Sequence, residues 1–285
     1  MEVVRPEDAP AFLGLAGPLL ERDEARNQLA LGIAGTMVEH PDAYDEAHFW
    51  VALEGGDAVA AALRTPPYSL VLADPATDAA LTLLLGAIAD DDPAAPGVTG
   101  NVPHVHTAAR VLAEATDRRA DPVLSMGVFA LRQVSGVRRS SGAPRPADPS
   151  DRPLLQRWIT DFLHEAVPKP ERELGRLERT LDTRLSSTDA GFWLWEDADE
   201  PVSLAGFGGR TPTGIRIGPV YTPAELRRRG YASALVAELS GWLLRRGHRA
   251  CFLYTDLSNP TSNRIYTEIG YERIADSMEF GFRER

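Results

Sequence analysis

The clearest pattern of apolar and polar positions lies in the stretch 215–247. Residues 215–221 predict a strand, and a helix is predicted over 230–246 because apolar side chains recur there at helical spacing. The apolar residues of this helix are Tyr231, Ala232, Leu235, Val236, Leu239, Trp242 and Leu243. Gly247 follows as the expected C-terminal cap. Because these residues form one broad face, we expect the helix to pack on a sheet.

Similar patterns predict the neighbouring elements in the second half of the chain. Strands are expected at 192–196, 201–210, 250–255 and 271–282, and helices at 151–166, 171–185 and 259–269. Pro168 and Pro170 end the first of these helices, and Asn259 is a suitable N-cap for the last. A bulge or a close backbone approach is indicated in the second strand by Gly206, Gly208 and Gly209. The aromatic side chains of Trp193 and Trp195 are interpreted as sheet packing.

The first half of the chain also alternates between predicted strands and helices. Strands are expected at 48–53, 58–64, 68–72, 97–102 and 122–134, and helices at 21–31, 76–89 and 106–117. Gly55 and Gly56 predict the tight turn of a hairpin between the first two strands. Residues 137–150 are rich in Arg, Ser, Gly and Pro and are the best candidate for a linker, part of which could form the first strand of a second domain.

Length and composition narrow the class of protein. A chain of 285 residues suits two domains of ordinary size or one large domain. The formal net charge of −11 argues against nucleic acid as the main partner and agrees weakly with a cationic amine substrate. Cys251 is the single cysteine, so no intrachain disulfide is possible and a reducing compartment is expected. With neither a signal segment nor an apolar run of spanning length in the sequence, we expect a soluble cytoplasmic protein without a membrane partner.

His104 and His106 are the residues that could suggest a metal site. They lie two positions apart, and the sequence has no cysteine or carboxylate at ligand spacing nearby. We therefore expect a role at a loop or a helix start, and no bound metal.

The turn between residues 221 and 230 carries the strongest chemical signal. A helix N-terminus that follows a strand leaves backbone N–H groups without intrahelical partners, and it favours an anion. Gly230 would let a phosphate approach the backbone, and Ala232 keeps the next position of the pattern small. Arg227, Arg228 and Arg229 add positive charge, which is unfavourable at this helix end unless a polyanion binds there. The alternative interpretation is an exposed basic turn with an ordinary glycine.

Two sequence blocks in this half resemble the signature of a known family. Arg227-x-x-Gly230-x-Ala232, after a strand ending in Val220-Tyr221, resembles the acetyl-CoA motif of the GNAT superfamily of acetyltransferases. The second block places Asn259 seven residues before Tyr266, which Gly270-Tyr271 follow. The resemblance covers about residues 138–285 and is much weaker before them.

The resemblance implies an α/β (α+β) fold with two tandem GNAT-like domains. Each would be a mixed, mostly antiparallel twisted sheet flanked by helices: residues 1–137 as a degenerate copy and 138–285 as the catalytic domain. The first half has Asp74-Pro75-Ala76-Thr77-Asp78 where a cofactor loop would be expected, and two carboxylates there would repel a pyrophosphate. The alternative for residues 1–137 is an unrelated α/β domain.

The resemblance further implies acetyl-CoA as cosubstrate and a primary amine as acceptor. In the family, a splayed strand binds the pantetheine arm through free backbone groups. The implied cofactor-binding residues are Val220, Tyr221, Thr222, Arg227, Arg228, Arg229, Gly230, Tyr231, Ala232, Ser233, Asn259 and Asn263. Tyr266 is the implied general acid, because a phenol with a pKa near ~10 is protonated at neutral pH. A packing tyrosine is the alternative.

The general base and the acceptor are less defined. Glu196 is the first candidate for the base, with Asp161, Glu165 or a chain of waters as alternatives. A non-catalytic acyl-CoA-binding or regulatory protein is the competing class. Transfer to a hydroxyl, or of a larger acyl group, also stays open, and the protein is expected to be a monomer or a homodimer.

Overall fold

The computed structural model describes residues 1–136, 140–167 and 170–285. The chain forms two compact units, each completed by segments that are distant in sequence. Unit 1 consists of Met1–Val128, Asp256–Ser258 and Ile274–Arg285, and unit 2 consists of Phe129–Thr255 and Asn259–Arg273. The predicted boundary between residues 137 and 138 lies outside the described residues, so the division at that point stays a prediction.

The elements follow the chain in mixed order. The strands are β1 (Glu2–Val4), β2 (His48–Glu54), β3 (Asp57–Arg64), β4 (Leu70–Leu72), β5 (Gly97–Asn101), β6 (Arg118–Leu131), β7 (Ala143–Pro146), β8 (Gly191–Asp197), β9 (Glu200–Gly208), β10 (Gly214–Tyr221), β11 (Ala250–Asp256) and β12 (Glu272–Glu284). The α-helices are α1 (Ala9–Leu20), α2 (Glu24–Glu39), α3 (Asp78–Asp91), α4 (His104–Ala115), α5 (Arg152–Ala166), α6 (Pro170–Leu174), α7 (Leu177–Ser186), α8 (Tyr231–Arg245) and α9 (Pro260–Ile269).

Unit 1 is a sheet with helices on both faces. Its strands lie in the order β1-β2-β3-β4-β5-β12, with β4 and β5 parallel and the pairs β1–β2, β2–β3, β3–β4 and β5–β12 antiparallel. Alternation along β2 sends Phe49 and Val51 to a core with α1 and α2, and Trp50 to a core with α3 and α4. The predicted tight turn is confirmed, since Gly55 and Gly56 adopt φ angles of 62° and 95°.

Unit 2 has the same layered construction, with helices on both faces of its strands. The strand order is β11-β10-β9-β8-β7, with β10 and β11 parallel and the other pairs antiparallel. Trp193 and Trp195 pack against α8, which confirms their interpretation as sheet packing, whereas Phe192 and Leu194 face α5 and α7. The predicted mixed, mostly antiparallel α/β fold class is confirmed.

Several predicted elements differ in detail from the structure. The single helix expected at 171–185 is wrong, because the chain forms α6 and α7 with a break at Gly175 and Arg176. Glycine is a poor helix former, which explains a break at this point. In the predicted linker, residues 143–146 form β7, residues 140–142 and 147–150 flank it, and 137–139 lie outside the described residues. The helix expected at 151–166 is confirmed as α5, whereas Pro168, which is expected to help end it, lies outside the described residues.

Candidate functional site

The candidate site begins where two parallel strands of unit 2 separate. The register of β10 with β11 runs from Gly214↔Ala250 to Arg216↔Phe252 and stops there, although both strands continue. On its other side β10 stays paired with β9 as far as Tyr221↔Leu204. Residues 217–221 of β10 therefore lie beyond this register with β11, on one side of an opening between the two strands at the carboxyl end of the parallel pair.

An irregularity in β10 coincides with this separation. The register with β9 shifts between Ile217 and Val220, around Gly218 and Pro219, and proline has no N–H to donate. Gly206 on β9 allows the close packing, because a Cβ at that position would lie 2.8 Å from the Gly218 carbonyl oxygen. The close backbone approach predicted from the glycines is confirmed at Gly206.

The turn after β10 leads into the N-terminus of α8. Thr222 Oγ1 lies 2.8 Å from Ser203 Oγ, and Arg227 Nε donates to the Thr222 carbonyl oxygen over 2.9 Å. Gly230 is the N-cap of α8, with φ 90° and ψ 0°, a left-handed conformation that favours glycine. It supplies no side-chain oxygen, and within the described part of the chain no side chain caps this helix. The N–H groups of the first turn are thus available to an anion.

The three arginines of the turn are exposed but not equivalent. Arg227 is paired with Glu165, at 2.5 Å between Nη2 and Oε2. Arg228 has a positive φ of 68°, and Arg229 makes a long contact of 3.5 Å from Nη2 to the Glu225 carbonyl oxygen. The positive charge available to a ligand therefore comes mainly from Arg228 and Arg229.

Tyr231, Ala232 and Ser233 form the first turn of α8. The Tyr231 side chain is buried, and its hydroxyl donates to Asp197 Oδ2 over 2.5 Å. Together with the hydroxyl of Ser141, this hydrogen bond holds the pKa of Asp197 below its usual range. Because the Tyr231 hydroxyl is hydrogen-bonded to Asp197, only the backbone N–H of Tyr231 is left to bind a ligand at the helix N-terminus.

The second arm of the candidate site is α9, which follows β11. The carboxyl ends of parallel strands meet at one edge of a sheet, so α8 and α9 both begin at the edge where β10 and β11 separate. Asn259 caps α9, its Oδ1 accepting from Ser262 N over 3.1 Å, as predicted. Asn263 lies one turn further, with its N–H directed to the Asn259 carbonyl oxygen.

Tyr266 lies near the end of α9 in the core shared with α8. Its ring makes an edge contact with Tyr271, with 5.9 Å between the centroids, and its side chain is buried. Burial raises the pKa of Tyr266 to about 12, because the phenolate would be poorly solvated. The phenol is therefore protonated at neutral pH and is a hydrogen-bond donor.

The candidate general bases occupy different environments. Glu196 accepts from Arg145 Nε over 2.6 Å, and the same guanidinium binds Asp151 through two further hydrogen bonds of 2.6 and 2.9 Å. Hydrogen bonding to Asp151, and to a smaller extent to Glu196, raises the pKa of Arg145. Glu165 is held by Arg227. Burial raises the pKa of Tyr221, and the negative charges of Glu165 and Asp161 raise it further.

Two arginines near the separation of the strands carried no signal in the sequence. Arg184 on α7 donates from Nη1 to the Gly218 carbonyl oxygen over 2.9 Å. Arg216 on β10 has a buried Nη1 with no hydrogen-bond partner among residues 1–136, 140–167 and 170–285. From the sequence alone, Arg184 would be placed on the solvent face of a charged helix. Arg216 would be placed at an ordinary polar position of a strand.

Unit 1 has a polar network at the corresponding edge of its own parallel pair. Asp74 follows β4, and its carboxylate is bound by the Arg26 guanidinium and by Asn101 Nδ2, the latter over 3.2 Å. Asn27 Oδ1 accepts from the Asp74 N–H over 3.0 Å. The Asp74 carboxylate, which is one of the two predicted to repel a pyrophosphate, is thus hydrogen-bonded within unit 1.

The two histidines that could suggest a metal lie in the first turn of α4, as predicted. His104 Nδ1 is 3.6 Å from Asp74 Oδ1, and the His106 ring packs edge-on against Phe280. Across the part of the chain that the structure describes, no three His, Cys, Asp or Glu side chains are grouped to hold a metal ion. Nor is any helix of those residues both long and apolar enough to cross a membrane.

The fold and the separated strand pair define the class of GNAT-fold proteins, a fold that supports acyl-CoA-dependent acetyl transfer in general. Residues 153–271 match the family model described as the acetyltransferase (GNAT) family. Residues 153–271 therefore form a domain of the GNAT acetyltransferase family.

Solved structures of the same fold extend over the whole chain. A GCN5-related N-acetyltransferase from Sphaerobacter thermophilus is 21% identical over 98% of this chain and 94% of that one, with a TM-score of 0.59. A tandem GNAT protein from the clavulanic acid biosynthesis pathway is 12% identical over 98% of both chains, with a TM-score of 0.57. A Drosophila protein is 13% identical over 100% of this chain and 99% of that one, with a TM-score of 0.68. These likenesses concern the fold. No curated protein sequence matches the chain.

Proposed function

We propose that unit 2 is an acetyl-CoA-dependent N-acetyltransferase that transfers an acetyl group to a primary amine. The observation that carries the proposal is the opening between β10 and β11, which leads directly to the uncapped N-terminus of α8 at Gly230. A long ligand with an amide-containing arm and a pyrophosphate has complementary groups at both ends of this path.

The residues of the opening fit such a ligand. Backbone groups of residues 217–221 that β11 does not engage would bind the amides of the pantetheine arm. The N–H groups of Tyr231, Ala232 and Ser233 would bind the pyrophosphate, with Arg228 and Arg229 adding positive charge. The other proposed contacts are Val220, Tyr221 and Thr222 on the strand side, Arg227 in the turn, and Asn259 and Asn263 on α9.

Tyr266 is proposed to assist departure of the thiolate. Its pKa, raised to about 12, lies above that of an ordinary thiol, about 8.5, so complete proton transfer to a free thiolate would be unfavourable. The phenol would therefore act best by donating a hydrogen bond to the sulfur as negative charge develops. An interaction that strengthens in the transition state accelerates the reaction without complete transfer of the proton.

The amine must lose a proton during its attack on the thioester carbonyl. Glu196 is the proposed acceptor of this proton, with Asp161 and Glu165 as alternatives. In the free protein Glu196 accepts a hydrogen bond from Arg145 Nε over 2.6 Å. Replacing Glu196 with Gln is expected to shift the pH dependence of kcat only if this carboxylate is the base.

A non-catalytic acyl-CoA-binding protein is the second candidate. It is favoured by the burial of Tyr266 in the core and by the pairing of Glu196 with Arg145. Calorimetry with acetyl-CoA and a CoA-release assay with primary amines, alcohols and longer acyl-CoA donors would separate the candidates. Binding without release would favour the second candidate, release with alcohols alone would indicate O-acetylation, and absence of binding would refute both.

A further inference from the structure

We infer that Arg216, with Arg184 beside it, binds an anionic group of the acceptor, so that the acceptor is an amine that also carries a carboxylate or a phosphate. This inference rests on the proposed function. It assigns the substrate class that the GNAT fold leaves open.

Arg216 lies on the face of the sheet opposite α8. Ile215 and Ile217 pack into the core with α8, and side chains alternate along a strand, so Arg216 projects to the face that carries α5 and α7. Its Nη1 is buried and has no hydrogen-bond partner in the described part of the chain. An unpaired buried donor is unfavourable in the free protein, and a bound oxyanion would satisfy it.

Arg184 brings a second guanidinium to the same place. It is on α7, which packs on this face, and its Nη1 donates to the Gly218 carbonyl oxygen over 2.9 Å. Its guanidinium also lies over the Phe192 ring, with 5.3 Å between Cζ and the ring centroid. These contacts hold Arg184 where β10 begins to separate from β11, which is where the proposed thioester would lie.

Both guanidiniums lie beside two consecutive glycines, Gly208 at the end of β9 and Gly209 directly after it. A Cβ on Gly208 would lie 3.8 Å from the Arg184 Cζ, and a Cβ on Gly209 would lie 2.8 Å from the Arg216 Nη2. Gly208 is also the direct cross-strand partner of Arg216. Both guanidiniums therefore lie against backbone that carries no side chain, and their positive charges have a Coulombic reason to attract an anion.

The charged side chains on this face of the sheet lie at two places along β10. Towards its end, Glu165 is paired with Arg227, whereas near its centre the Arg184 and Arg216 guanidiniums lie against the consecutive residues Gly208 and Gly209. A guanidinium matches the geometry of carboxylate and phosphate oxygens and can bind either with two hydrogen bonds. An amine tethered to such an anion would be oriented beside the opening.

The test measures CoA release with matched pairs of acceptors. One arm compares α-, β- and γ-amino acids and dipeptides with their carboxamides, and the other compares phosphoethanolamine with ethanolamine. We expect kcat/KM for the anionic member of at least one pair to exceed that of its neutral partner tenfold or more. The arm in which the preference appears identifies the carboxylate or the phosphate.

Arg216→Gln should remove at least tenfold of this preference and leave the Kd for acetyl-CoA unchanged. Arg216→Lys, which keeps the charge but not the two-pronged geometry, should be intermediate. Arg249→Gln, which removes an exposed arginine of the same unit, is the matched control and should behave as wild type. Because Arg216 has an unpaired donor in the free protein, its replacement should not lower Tm, whereas a purely structural role predicts a lower Tm and an unchanged preference.

Several results would overturn the inference. These are equal or faster reaction of the neutral partners, an unchanged preference in Arg216→Gln, and acetyl-CoA binding without release by any anionic amine. Calorimetry with acetyl-CoA alone distinguishes these from failure of the proposed function, because absence of binding removes both.

Discussion

Gly230 offers the sharpest test of the proposed phosphate site. The residue has φ 90° and ψ 0°, and an L-residue in the left-handed region costs about 1–2 kcal/mol relative to glycine. Gly230→Val must therefore either keep the backbone and place a branched side chain at the helix N-terminus, or relax it and turn the N–H groups of the first turn away. In both cases we expect the affinity for acetyl-CoA to fall at least tenfold, about 1.4 kcal/mol.

The other end of the same helix supplies a matched control. Gly247 has φ 102°, and a Cβ added there would meet nothing within 4 Å, so Gly247→Val introduces backbone strain without a steric clash. Both variants should lose a similar amount of stability, about 1–2 kcal/mol, in urea denaturation. Only Gly230→Val should lose acetyl-CoA affinity in calorimetry.

Two results would refute the reasoning about Gly230. Near-native affinity in Gly230→Val would mean that the helix N-terminus does not bind the ligand. Equal weakening in both variants would mean that the effect comes from general destabilisation of α8 and not from a phosphate contact.

Three further predictions concern single side chains. Tyr266→Phe should lower kcat and kcat/KM together by about 10²-fold, which is the lower end of the range for acid–base catalysis, and should leave the affinity for acetyl-CoA unchanged. Normal turnover under conditions where chemistry is rate-limiting would exclude a role for the phenol. Cys251 is buried, and burial raises its pKa to about 12, so iodoacetamide at pH 8 should label it only after denaturation. Rapid labelling of the native protein would contradict this burial. Asp74→Ala should destabilise the protein by about 1–3 kcal/mol, because Arg26 and Asn101 lose an acceptor, while calorimetry still gives one acetyl-CoA per chain. A second binding event in wild type would contradict the proposed absence of a site in unit 1.

The features that sequence reasoning predicted well are those set by short-range patterns. The apolar face of α8 repeats over four turns, and Gly230 and Gly247 lie at its ends with the positive φ angles that favour glycine. The N-cap at Asn259 and the hairpin turn at Gly55 and Gly56 are equally local. In each case the residues that determine the conformation are within a few positions of one another.

Features that depend on distant residues were not predicted. Residues 274–285 complete unit 1 and residues 129–136 belong to unit 2, yet neither segment differs in composition from an ordinary strand or turn. Strand pairing depends on partners, here β12 with β5 over Ser277↔Asn101 to Gly281↔Gly97, which no periodicity in either strand specifies. The break between α6 and α7 rests on a single glycine, and such a residue is often tolerated inside a helix.

The candidate site shows the same division between local and distant determinants. The backbone part of the site, from residue 217 to Ser233, follows from the strand–turn–helix sequence, and its glycine is where the helix N-terminus requires it. The side chains expected to select the acceptor come from separate elements, Arg184 from α7 and Arg216 from β10, and they lie against Gly208 at the end of β9 and Gly209 after it. A sequence pattern can therefore indicate which cosubstrate a domain of this fold would bind, whereas the acceptor that it would take depends on how the helices lie on the sheet. Acceptor specificity in this protein should for that reason change through substitutions at Arg184 and Arg216 that leave the motif from Arg227 to Ala232 intact.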